Sequence, residues 1–287
     1  MAYLGIMATT FARPTLDAVL DAAVSSGVHG LQFDLACAGE PTLPTHIDAA
    51  LCDQIRRAFA TRHLTMAALS GTFNMIHPDP RQRAAGLAGL RTVLAACGAL
   101  GVAVVTLCTG TRDADHMWRR HPDNDTPEAW ADLIACLGDA VRAAEGHGVT
   151  LAFEPEVANV VDSAQKARRL LDEIASPRLK VVMDPANIFH RGELPQMDRM
   201  LADAFDLLGR DIALAHAKDL DHDGEAGHRP AGRGVLNYPQ YLALLQRSGF
   251  TGAVILHGLE EDEVPSCVTF VRDAAPAGWW SDTASGG

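Results

Sequence analysis

The sequence predicts an α/β protein built as a single (β/α)8 barrel, and three observations predict it. Short apolar runs alternate eight times with stretches of helical spacing along most of the 287 residues. No composition break, internal repeat or low-complexity linker interrupts them, which suits one barrel of roughly 250 residues or slightly more. Four of the later apolar runs end in a carboxylate or an imidazole, at the rim where such a barrel carries its chemistry. The competing arrangement is a doubly wound open sheet, but no G-x-G-x-x-G follows an early strand. The expected barrel occupies residues 1–275, and residues 276–287 read as a C-terminal tail bearing Trp279 and Trp280.

Taken in order, YLGIMA at 3–8 is the first strand and residues 16–27 the first helix, stopped by Gly27. GLQFDL at 30–35 is the second strand, followed by a Gly-, Pro- and Thr-rich loop and a helix over 46–63. Strand three is TMAALSGTF at 65–73, with its helix at 81–101. Strand four is VAVVTLCTG at 102–110, with its helix at 126–148. TLAFE then ends in Glu154, and an amphipathic helix with Ala167, Leu170, Leu171 and Ile174 on one face follows, capped by Asp162 or Ser163. LKVVMD ends in Asp184. Strand, helix and strand of this length make a βαβ unit, so Glu154 and Asp184 share one rim of a parallel sheet. Residues 194–208 are helical, IALAHAKD at 212–219 is strand seven, and 238–249 its helix. GAVILHG at 252–258 is strand eight, and a last helix spans 260–274.

At 48% hydrophobic and 21% charged residues the chain is composed like a folded globular protein, not a disordered one. A formal net charge of −12 argues against nonspecific binding to nucleic acid or anionic lipid. Six scattered cysteines without a C-x-x-C pair favour reduced thiols and a cytoplasmic location. The N-terminus shows no secretion signal, and no apolar run suggests a membrane span.

The strand ends carry the chemistry. Strand five ends at Glu154, with Glu156 just beyond; strand six ends at Asp184, followed by Asn187 and His190. Strand seven ends at His216, followed by Lys218, and strand eight at His257, with Glu260 and Glu261 beyond. A lone carboxylate after a strand is most often a helix cap, and a lone histidine most often a hydrogen-bonded core residue. Four on successive strands can instead ring one ion. Glu154, Asp184, His216 and His257, with Glu260 as the alternative fourth ligand, suit one divalent metal ion. Mn2+ is the first expectation, with Zn2+, Mg2+, Co2+ or Fe2+ open. Candidate catalytic groups are Glu154, His257 and Lys218. Candidate substrate contacts are Asn74 and His77 after strand three, Arg112 and Trp118 after strand four, then Glu156, Asn187 and Arg233. The loop holding Trp118 suits a lid over a polyol, since an indole stacks on a sugar face.

LAFEPE, VVMDPANIF, AHAKD and the segment PAGRGVLNYPQYLALLQRSGFTGAVIL resemble the sugar phosphate isomerase/epimerase family, whose fold is the xylose-isomerase-like TIM barrel. The resemblance runs over residues 5–272 and takes in ketose 3-epimerases, inosose dehydratases and isomerases, hydroxypyruvate isomerases and, more distantly, endonuclease IV. It implies a divalent metal held by a strand-five Glu, strand-six Asp, strand-seven His and strand-eight Glu. Glu154, Asp184 and His216 match; His257 stands where relatives carry the second Glu, and Asn187 where many carry His. It also implies a sugar or cyclitol substrate, proton transfer through an enediolate, and pairing into homodimers or homotetramers. A lyase acting on a keto-sugar or keto-cyclitol and a non-catalytic sugar-binding relative remain the alternatives. Phosphodiester hydrolysis would need more metal ligands and a basic groove.

Overall fold

The computed structural model describes residues 1–281, so the last six residues of the expected tail lie outside the described residues. Eight parallel strands close on themselves: β1 (Tyr3–Met7), β2 (Gly30–Phe33), β3 (Thr65–Ser70), β4 (Val104–Cys108), β5 (Thr150–Glu154), β6 (Leu179–Met183), β7 (Ile212–Asp219) and β8 (Ala253–Leu256). Each pairs with the next, and β8 returns to β1 with Ile6 beside Leu256. The strands are shorter than the sequence suggests at β2, β3, β4 and β8. The polar ends of those runs turn into loops and caps, as where Asp34 accepts from Ala36 N at 2.9 Å. A two-residue ribbon, Arg229–Pro230, pairs antiparallel with Lys218 and Asp219 at the end of β7. Periodicity had not revealed it.

Eight α-helices cover the barrel: α1 (Leu16–Ser25), α2 (Ala49–Thr61), α3 (Pro80–Leu100), α4 (Pro127–His147), α5 (Ala164–Ile174), α6 (Met197–Leu208), α7 (Tyr238–Arg247) and α8 (Val264–Ala274). Their starts are written in the sequence. Thr15, Asp79, Thr126, Ser163 and Asn237 each accept a backbone N–H of the first turn, and Pro80 and Pro127 take positions where no N–H is needed. Ser163, not Asp162, caps α5; Asp162 turns to Arg120 and Lys166. By length and composition α3 could cross a membrane. Its Leu87, Leu90, Val93, Leu94 and Cys97 are instead buried against the barrel.

Strand alternation sorts the interior. Ala152, Val182, Leu214 and Ile255 meet inside the barrel with Ala68 and Ala253 as an apolar plug. Their chain neighbours, such as Phe153, Val181, Ala215 and Val254, join the larger core between sheet and helices. Two residues beyond Ala152, Val182, Leu214 and Ile255 come Glu154, Asp184, His216 and His257. The period of two therefore points all four inward, one layer above the plug. At the opposite end, the start of the expected tail folds back on the barrel: Trp280 bridges to Ala2, Ser281 N donates to Ala2 O at 2.8 Å, and Trp279 is buried against Trp280.

Candidate metal centre and active site

The floor of the mouth is a cluster of inward side chains that satisfy one another incompletely. His216 Nδ1 lies 3.5 Å from Glu154 Oε1 and 3.5 Å from Asp184 Oδ2, and Lys218 Nζ lies 3.5 Å from the same Asp184 oxygen. Ligand atoms of Asp184, His216 and His257 all fall within 4.8 Å of one another. The two imidazoles meet edge to face with centroids 4.9 Å apart. Among the described residues Asp184 Oδ2, His216 Nδ1 and His257 Nδ1 are buried polar atoms without a hydrogen-bond partner. Such atoms are costly to leave alone, so three on one point indicate something they are built to hold.

The surrounding bonds aim these atoms. His216 Nε2 bonds to Gln32 Oε1 at 2.9 Å, and Gln32 donates in turn to Thr106 Oγ1 at 3.2 Å. Because a carbonyl oxygen only accepts, Nε2 carries a ring proton, and Nδ1 is the nitrogen turned to the carboxylates, a ligand atom once an incoming cation displaces its own proton. Asp184 Oδ1 accepts from Ala186 N at 3.0 Å, which leaves Oδ2 for the cluster. Asn187 donates to Glu154 Oε1 at 2.6 Å and accepts from Gly227 N at 2.8 Å, tying the β5 and β6 ends to the loop after β7. That approach needs a glycine, since a Cβ on Gly227 would come within 2.5 Å of Ala186 Cβ.

Electrostatics follow from burial and these neighbours. Burial opposes charge on Asp184, but Lys218 and His216 outweigh it and hold the carboxyl well below its usual range. Burial likewise opposes a charged His216, yet Glu154 and Asp184 raise it to about 9. Lys218 is also raised, because Asp184, Glu154 and Glu156 overcome its desolvation. His257 goes the other way: burial, then Lys218 and His216, keep its imidazole neutral. Glu156, buried beside Glu154, is pushed up to about 8.

Above the floor a cavity of about 730 Å3 is lined by Glu154, Glu156, Asn187, Lys218 and His257, by Trp118, Arg119 and Arg120 from the β4 loop, and by Glu225 and His228 from the β7 loop. A larger open groove of about 910 Å3 runs along the outside over Leu194, Met197 and Val235, away from the cluster.

Several expected substrate contacts are placed elsewhere. Asn74 donates to Thr111 O at 2.8 Å and accepts from Thr111 N and Ile76 N, stapling two loops. His77 bonds Ala114 O and Asp79 N. Arg112 is clamped between Asp132 Oδ2 at 2.7 Å and Ile76 O at 2.9 Å. Arg233 is exposed on the turn after the ribbon, outside the cavity. Glu260 closes a capping box with Glu263, and Glu261 pairs with Arg13, so neither reaches the centre. Arg119, Arg120, Glu225 and His228 were missed. Their signal was adjacency to Trp118 and a second histidine in the β7 loop, in segments with no strand periodicity to orient them.

A family profile described as xylose isomerase-like TIM barrel matches residues 20–278. The chain belongs to the xylose isomerase-like TIM barrel family. A search of curated proteins gave no match. Among solved structures of this family's fold, 3-keto-D-glucoside 4-epimerase from E. coli superposes with a TM-score of 0.73 at 17% identity, covering 95% of this chain and 100% of that one. D-allulose 3-epimerase from Methylomonas sp. gives 0.67 at 17%, covering 96% and 100%. The IolI protein, solved with a zinc atom, gives 0.71 at 17%, covering 95% and 96%. At such identity these likenesses establish the xylose isomerase-like barrel itself.

Proposed function

We propose that this protein is a divalent-metal-dependent isomerase or epimerase acting on a sugar, keto-sugar or cyclitol through an enediolate. The carrying observation is the convergence of Asp184 Oδ2, His216 Nδ1 and His257 Nδ1, all buried and without a hydrogen bond, beside Glu154 at the mouth of a 730 Å3 cavity. Mixed carboxylate and imidazole donors fit a divalent ion, and Glu154, Asp184, His216 and His257 would hold it. When bound, the ion supplies Lewis acidity toward a ketone and its neighbouring hydroxyl.

The chain's own residues do the rest. Asn187 fixes one Glu154 oxygen, and the carboxylate lies at the cavity wall, positioned to take the C–H proton of the hydroxyl-bearing carbon next to the ketone. His77, tied to Ala114, has no such access. Lys218, a buried ammonium on the same wall, stabilises the oxyanion as it develops. Glu156, protonated near neutrality, offers the cavity a hydrogen-bond donor. Trp118 stands at the rim as a stacking face. Return of the proton by Glu154 to the neighbouring carbon gives isomerisation, whereas epimerisation takes a different proton, from a second acid on the opposite face of the same carbon. Elimination is the second reading: Glu156 lines the same cavity beside Glu154, where its carboxyl is placed to deliver a proton to a leaving hydroxyl. The six cysteines are all free, in keeping with a cytoplasmic setting.

The test combines metal analysis with deuterium exchange. Purified protein should carry about one transition-metal ion per chain and exchange solvent deuterium into a ketose or keto-cyclitol from a panel. Asp184→Ala and Glu154→Ala should lose the ion and slow exchange by roughly 10³-fold or more. Retention of metal and exchange by both variants would sink the assignment. Tight sugar binding without exchange in the wild type would point to the non-catalytic relative.

A further inference from the structure

We propose that His257 makes the centre a two-imidazole, two-carboxylate site that selects an ion of the zinc, cobalt(II) or ferrous class over manganese or magnesium. The inference rests on the metal site proposed above and concerns only which ion it takes.

Position comes first. Ala253 and Ile255 lie in the interior plug, and His257 follows them in the same alternation, so strand geometry brings its ring over the floor. Its Nδ1 is buried without a partner, and the ring meets His216 edge to face at 4.9 Å. No carboxylate from the end of β8 competes for the place, because Glu260 and Glu261 are committed to a capping box and to Arg13.

Donor chemistry then decides the ion. Hard cations such as Mg2+ and Mn2+ are held mainly by the charge on oxygen donors, whereas imidazole lone pairs suit Zn2+, Co2+ and Fe2+. With His257 in the fourth place, two carboxylates only balance a dication. The Lys218 ammonium, 3.5 Å from Asp184 Oδ2, opposes any cation bound by charge alone. A site whose negative charge Lys218 offsets, and whose two imidazole nitrogens are aimed at one point, favours the softer ions.

The experiment uses the full chain carrying His222→Gln, which breaks the separate exposed cluster of Asp221, His222 and His228. Stripped of metal and loaded with one equivalent of Cu2+, this protein should show two coordinated imidazoles by pulsed electron paramagnetic resonance, and one after His257→Gln. In competition, its preference for Zn2+ over Mn2+ should exceed that of a His257→Glu variant by at least ~10-fold. The copper count guards against poor folding of the glutamate variant, since the parent alone must give two. A single imidazole in the parent, or an unchanged Zn2+/Mn2+ ratio in a folded His257→Glu variant, overturns the inference while leaving the metal site standing. Failure to bind any of these ions, or binding that survives Asp184→Ala, overturns the metal site itself.

Discussion

The loops after β3 and β4 and the ends of β5 to β8 are furnished with the same kinds of side chain and use them oppositely. In the first region Asn74, His77, Arg112 and Asp113 bond to neighbouring backbone and to Asp132 and Arg119, holding two loops together. In the second, Asp184, His216 and His257 each keep a buried atom with no hydrogen-bond partner. Polar residue type alone therefore does not mark a site. What marks it is bonding capacity that the fold orients and then leaves unused.

Substitutions can sharpen or break this contrast. The largest effect expected outside the cluster itself is at Gln32, a positioning residue that fixes the His216 ring. Gln32→Leu should weaken metal binding by roughly 10–100-fold in a chelator competition, with the melting temperature far less affected. Unchanged affinity would mean that the ring is held by packing alone. Arg112→Ala should do the reverse. It leaves Asp132 and Ile76 O without that donor and should cost about 1–3 kcal/mol in denaturant unfolding, while metal stoichiometry stays the same. Loss of metal in that variant would erase the distinction between the two regions.

The smallest effect concerns acid. Asp113 accepts from the Arg119 side chain and from the Asp115 and His116 backbone, which together hold it well below the usual carboxylate range. Its contribution to stability is thus complete above an ordinary aspartate value of ~3.9 and fades as pH falls through the lower folded one. The melting-temperature gap between wild type and Asp113→Asn should hold steady near neutrality and close in strong acid. A gap independent of pH would show that charge at Asp113 is not what secures the loop.

The barrel was legible in the sequence because its signals are local and repeated: apolar runs, capping residues and helical spacing. Glu154, Asp184, His216 and His257 were legible for a related reason, since strand alternation determines where a side chain at a strand end points. Asn74, His77 and Arg112 sit in loops, where no period fixes direction, and their partners are up to 39 residues distant. Arg119, Arg120 and His228 reach the cavity through loop paths set by contacts such as Gly227 N to Asn187 Oδ1. Those paths depend on tertiary packing, which a one-dimensional reading does not contain.

The pairing of Ala2 with Trp280 brings residues from near both ends of the described chain together beneath the barrel, on the side away from the cavity. A short engineered link from Ser281 back to Met1 would leave the mouth unobstructed. New ends could then be opened in a helix-to-strand turn of that lower face, giving a rearranged gene order with the same ring of ligands.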